Sequence, residues 1–169
     1  NIVGDLACKL FPNGVEIPYL NTTFQDKIDL TQEYINQGTQ NIYEATFEFD
    51  GILIMIDILN IKDNSVIINE VKSSTQVKDI YLHDASIQYY VLNGLGYDVK
   101  KVNIIHINNE YVRDEELDIN QLFSIVDVIY EVKELQANIK NNLEIFRKTL
   151  AKDVEPNIDI GTHCNDPYE

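Results

Sequence analysis

The segment Ile52-Leu-Ile-Met-Ile-Asp-Ile-Leu59 constrains this chain more than any other, because it is apolar throughout except for one acid. Asp50-Gly51 before it is a strong two-residue hairpin signal, so residues 41–49 and 52–61 are expected to pair as antiparallel strands. Asp63-Asn64 makes a second turn, and residues 65–73, rich in Val and Ile, form a third strand. A helix is expected over 22–37, with Phe24, Ile28, Tyr34 and Ile35 as its apolar stripe and Gly38 closing it. Another spans 79–95 and ends at Gly94 or Gly96, and a fourth strand follows over 101–108. That order predicts an α/β fold with a mixed central sheet flanked by helices.

Residues 118–151 read as a long helical segment, opened by Asp118 and Gln121 in the manner of a capping box. Its apolar stripe runs through Leu122, Ile125, Ile129, Val132, Ile139, Leu143, Phe146 and Leu150. Asn138, Asn141 and Asn142 weaken its middle, which leaves two shorter helices open. Residues 1–19 and those from 154 onward read as irregular. The chain of 169 residues fits one domain, and no apolar run reaches the length of a membrane span. It opens on Asn1 with no visible signal peptide, so we expect a cytoplasmic piece of a longer protein. The net charge of -15 opposes nucleic-acid binding through a basic surface. It leaves room for carboxylates that hold a cation. Cys8 and Cys164 read as a lone disulfide or, more simply in a cytosolic protein, as two isolated thiols.

A charge at Asp57 costs several kcal/mol to desolvate unless it is paired or bound to metal. Pairing of the second and third strands brings Asp57 near Glu70. Two carboxylates about 4 Å apart repel by roughly 4 kcal/mol at an effective dielectric of 20, a penalty that a divalent cation removes. Hard oxygen ligands favour Mg²⁺ or Mn²⁺. The tripeptide Glu70-Val71-Lys72 alone says little, since acid-x-Lys recurs at Asp98-Val99-Lys100 and Glu131-Val132-Lys133. Setting distinguishes it: on a strand, Glu70 and Lys72 share one face while Val71 turns to the other. A buried Asp57–Lys72 salt bridge that only holds the sheet is the competing reading. Glu44 is a candidate further ligand, or an outward residue on an edge strand. Gln88, on the following helix beside Ala85, Tyr89 and Leu92, is placed to reach the carboxylates or to sit as an ordinary polar position.

Asp57, Glu70-Val-Lys72 and Gln88 over strand, strand and helix resemble the RecB-like branch of the PD-(D/E)XK nucleases, whose core is restriction-endonuclease-like. The segments Ile42-Tyr-Glu-Ala-Thr-Phe-Glu-Phe-Asp-Gly51, Glu70-Val-Lys-Ser-Ser-Thr75, Gln88-Tyr-Tyr-Val-Leu92 and His106-Ile-Asn-Asn-Glu-Tyr-Val112 resemble a group of bacterial proteins with this core at their amino end. The likeness covers about residues 42–123, with a helical part over 118–152 and a cysteine-containing tail over 153–169. It implies Mg²⁺- or Mn²⁺-dependent hydrolysis of DNA phosphodiesters, exonuclease-like. Asp57, Glu70 and the Val71 carbonyl would be metal ligands, and Lys72 would orient water. A non-catalytic module binding nucleic acid or a partner protein is the alternative. Two departures are visible: the first helix has no histidine, with Glu33 the only acid in its second half, and Leu92 stands where that branch places a tyrosine. Some relatives of that branch, including those of CRISPR adaptation, hold an iron–sulfur cluster on four cysteines. Cys8 and Cys164 are placed like the first two.

Overall fold

A computed structural model describes residues 2–63 and 65–165. The chain runs α1 (Ile2–Ala7), a 3-10 turn (Cys8–Leu10), β1 (Val15–Glu16), α2 (Phe24–Asn36), β2 (Asn41–Phe49), β3 (Ile52–Lys62) and β4 (Ser65–Lys72). It continues with α3 (Asp79–Gly94), β5 (Asp98–Ile107), α4 (Ile119–Leu122), β6 (Phe123–Asp127), α5 (Ile129–Glu134) and α6 (Gln136–Leu150). The six strands form one mixed sheet in the order β1-β2-β3-β4-β5-β6. β1 with β2 and β4 with β5 are parallel, and the other pairs are antiparallel.

The expected meander is present. Asp50 and Gly51 both take positive φ, 56° and 74°, as a type I′ turn demands, and Phe49 faces Ile52 across it. Lys62 pairs with Ser65 across the next turn, where Asp63 has φ 55° and Asn64 lies outside the described residues. β4, α3 and β5 form a crossover joining two parallel strands. α3 ends as the glycines predict: Gly96 has φ 89°, and its N–H is accepted by Asn93 O. Thr23 caps α2 in a reciprocal pair with Asp26.

Both faces of the sheet are covered. Ile104 joins the larger apolar cluster, with Ala85, Val91 and Leu92 of α3 and Val132 of α5. Its neighbour Ile105 joins a smaller cluster with Ala7 of α1, Ile58 and Phe123. Among the described residues no helix is long and apolar enough to cross a membrane.

Three expectations are corrected. The long helix over 118–151 does not exist: β6 interrupts it, pairing antiparallel with β5. The run Phe123-Ser-Ile-Val-Asp is rich in branched side chains, and the open edge of β5 gives it backbone partners that a helix would not need. The proposed stripe breaks with it, leaving Ile125, Phe146 and Leu150 exposed. On α2, Phe24 is exposed, and the buried positions are Lys27 and Thr31. The amino-terminal stretch is not irregular throughout, since α1 forms and buries Ala7.

Candidate active site

The site starts from a defect in the sheet. Tyr43 pairs with Ile58 and Ala45 with Ile56, but the rung between them, Glu44 with Asp57, is missing. Glu44 holds φ 57°, in the left-handed region that non-glycine residues seldom occupy. Both strands change phase there. Ile42 and Ala45, three apart, enter the same apolar cluster, as do Ile56 and Leu59. In a regular strand such pairs would face opposite ways. The bend is held from α2: Thr31 Oγ1 accepts the Thr46 N–H at 3.0 Å, and Thr46 Oγ1 donates to Glu44 O at 3.0 Å. Glu44 is therefore not an alternating residue of a plain edge strand. Such irregularities concentrate beside functional sites, where they re-aim side chains.

Pairing of β3 with β4 stops one rung short of Asp57, at Ile58 with Asn69. Continued, it would set Asp57 opposite Glu70. Instead Asp57 Oδ2 accepts the Val71 N–H at 2.6 Å. Glu70 and Lys72 share a face as their spacing requires, with Lys72 Nζ 2.9 Å from Glu70 Oε1. Gln88 Nε2 donates to Glu70 Oε2 at 2.7 Å, so α3 does reach the carboxylate. Lys72 Nζ also lies 3.0 Å from Asp84 Oδ2 and 5.1 Å from the Tyr81 ring centre. The Asp57–Lys72 bridge is thus not how the strands are held, because both groups have other partners. Glu70 and Gln88 are 8% and 7% exposed, and Gln88 Oε1 is buried with no hydrogen-bond partner.

On the other side of the bend lies a cavity of about 350 Å³ lined by Gly4, Asp5, Cys8, Glu16, Tyr43, Glu44, Asp57, Ile58 and Val71. Its electrostatics follow from crowding acids with little compensating charge. Burial, then Glu70, pushes the Asp57 carboxyl up to about 7, against the Val71 N–H that favours the anion. Burial, with Glu16 and Glu70, also raises Glu44, while Lys27 opposes the rise. Burial and then Asp5, Glu16, Asp57 and Glu44 push the Cys8 thiol up to about 11, so it is a protonated thiol at neutral pH. Burial alone would lower Lys72, but Glu70 and Asp84 outweigh it and hold the ammonium above its ordinary range.

The structure thus gathers Glu44, Asp57 and Val71 at the cavity and joins Glu70, Lys72 and Gln88 in one hydrogen-bonded network beside it. Cys8 lines the cavity wall, whereas Cys164 is exposed in the turn Thr162–Asn165 with Sγ 3.5 Å from His163 Nε2. Glu33 is exposed and bonded to Gln37, away from the site. Asp98 and Lys100 pair with each other on the surface, and Glu131 and Lys133 are exposed on α5, so only the Glu70 copy of the acid-x-Lys pattern enters the site. Sequence reasoning missed Asp84, Tyr81, Glu16 and Lys27. Asp84 had a signal, since it stands four residues before Gln88 on the same helix face. Lys27 had none, because a lysine on an amphipathic helix reads as surface. Among the described residues no three His, Cys, Asp or Glu side chains already converge as a metal cage. Searches against protein-family models and curated proteins return no match for this chain.

Proposed function

We propose that this chain carries the core of a PD-(D/E)XK nuclease, a divalent-metal-dependent enzyme hydrolysing phosphodiester bonds of DNA, exonuclease-like. One observation carries the reading: Asp57 is bonded to the backbone of the residue between Glu70 and Lys72, and Gln88 reaches the same Glu70. The donor chemistry fits a hard cation such as Mg²⁺ or Mn²⁺, with Asp57, Glu70, the Val71 carbonyl and Glu44 as its oxygen ligands. An extended residue projects its N–H and C=O from the same edge of a strand, so the Val71 carbonyl opens toward Asp57. Both Glu70 oxygens already have partners, but each keeps a second lone pair. The unpartnered Gln88 Oε1 is a further acceptor beside them.

A bound divalent ion would lower the pKa of a coordinated water and offset phosphate charge. The protein's own groups supply the rest. Lys72 directs an ammonium toward charge developing on the phosphoryl oxygens. Gln88 fixes the Glu70 carboxylate, and Asp84 holds Lys72 from the far side. In the iron–sulfur arrangement that the family resemblance implies for a longer protein, Cys8 and Cys164 would supply two of the four thiolates, and no step is assigned to a cluster.

The absence of a first-helix histidine, which the RecB-like branch often carries as a metal ligand, favours a second reading, a nuclease-fold module that binds nucleic acid or a partner protein without cutting. Mn²⁺-dependent degradation of single- and double-stranded DNA separates the two. The nuclease reading expects activity in the parent protein and a fall of at least about a hundredfold in Asp57→Ala and Lys72→Ala. Activity that survives both substitutions sinks the assignment. A folded, inactive parent that binds no Mn²⁺ at Asp57 leaves the binding module.

A further inference from the structure

β6 ends the sheet on one side and pairs only with β5. Leu122 O accepts the Asn108 N–H at 2.8 Å, and the Val128 N–H donates to Val102 O at 2.7 Å, which fixes the phase of that ladder. Bonded rungs alternate in an antiparallel pair, so Ser124 and Val126 turn their backbone groups toward β5. Phe123, Ile125 and Asp127 turn theirs outward, and among the described residues nothing pairs with them. Ile125 is 50% and Val126 37% exposed, which puts one branched side chain on each face of the sheet. The strand holds no lysine, proline or bulge, the usual devices that blunt an edge. β1, at the opposite edge, has only Val15–Glu16 to offer.

Such an edge is a template for one more strand. Charge decides which strand fits. Exposed Asp114, Glu115 and Glu116 precede β6 in sequence, and exposed Asp127, Glu131 and Glu134 end or follow it, outnumbering Arg113 and Lys133. Lys101 offsets Asp127 at 3.8 Å. Antiparallel pairing with a second copy would set the acids before one β6 against those after the other, between chains of net charge -15 each. A segment with cations at both ends meets attraction at those places instead. We propose that the open edge of β6 is a docking site for an extended segment of another protein, branched and apolar at its centre with lysine or arginine at both ends, which adds to the sheet as a further strand. The docking site is independent of the nuclease reading.

A labelled peptide of sequence KKVTVTVKK is the probe, read by fluorescence anisotropy and by amide hydrogen exchange of the protein. It should bind, more weakly as salt rises. Exchange should slow at the Phe123, Ile125 and Asp127 amides and change little at Ser124 and Val126, which already bond to β5. A peptide N-methylated at alternate amides keeps its charge but loses the donors on one side, and should bind roughly tenfold more weakly or worse. Ile125→Pro removes the central outward donor without touching the β5 ladder and should cause a similar loss. Should its melting temperature fall, Ile125→Lys places a blunting cation on the edge with the backbone intact, and the same loss is expected. Binding undiminished by N-methylation is only the attraction of a basic peptide to an acidic protein, and overturns the docking site. Absence of binding at about 1 mM peptide overturns it as well. Protection of the same amides on raising protein concentration alone, with sedimentation as a dimer, assigns the edge to a second copy and overturns the proposed partner.

Discussion

Asp57 concentrates the energetic tension of the molecule in one carboxyl. Its folded pKa of about 7 stands above the ordinary 3.8, because burial and the neighbouring Glu70 disfavour the anion. Between those values the folded state holds the proton more tightly than the unfolded chain does. Stability is therefore fully present below about 4 and lost as pH rises to about 7. Asp57→Asn should flatten that part of a melting-temperature profile. At pH 8, Mn²⁺ at a hundred times its dissociation constant should restore about 2.7 kcal/mol to the parent and nothing to Asp57→Asn. An unchanged slope in the variant would show that Asp57 is not the titrating group. Asp84 lends itself to a second test. Asp84→Asn leaves Lys72 to Glu70 alone and should cost about 10- to 100-fold in Mn²⁺-dependent activity or metal affinity, with Asp84→Glu recovering most of it. Much of this site was legible in the sequence, because an acid inside an apolar strand and an acid-lysine pair two apart each have a physical meaning. The direct partners were less so. That Asp57 would meet a backbone N–H, and Lys72 a carboxylate from α3, depends on where the ladder stops and how the helix lies.

The elements show the same division. Strands bounded by Asp-Gly and Asp63-Asn64 were readable because turn chemistry and hydrophobic runs agree. β6 was not, since its branched residues sit at spacings a helix also satisfies and only the free edge of β5 decides between them. The bend at Glu44 was likewise hidden: no glycine marks its positive φ, and its support comes from another element. Thr31 on α2 accepts the Thr46 N–H that the irregular strand diverts from the sheet. Thr31→Val keeps the shape but leaves a buried donor unpaired, which should cost about 1–3 kcal/mol in urea unfolding. Thr31→Ser should cost much less. If valine is neutral, the bend does not depend on α2, and a local cause at Glu44 must be sought.

For the whole molecule, charge decides how any nucleic acid could be held. The chain carries 28 acidic residues against 13 lysines and arginines, and the site adds burial to that excess. A polyanion approaching the cavity meets Asp5, Glu16, Glu44 and Asp57, and among the described residues no lysine or arginine lines it. Two consequences follow if the nuclease reading holds. Divalent ions must come first, because they reverse the sign of the local field before the phosphate arrives. Few lysine–phosphate contacts can form, so few counterions are released. With Lys27 buried and Lys72 as the one contributor at the site, the logarithm of single-strand affinity should fall with the logarithm of salt at a slope of about -0.7. Fluorescence anisotropy of a labelled oligonucleotide in Ca²⁺, over a series of salt concentrations, measures that slope. In chelator, binding should be weak and should not weaken further with added salt, since repulsion is then being screened. A slope steeper than about -3 would require a basic track that Lys72 cannot supply, and would move the nucleic acid to another surface of the protein.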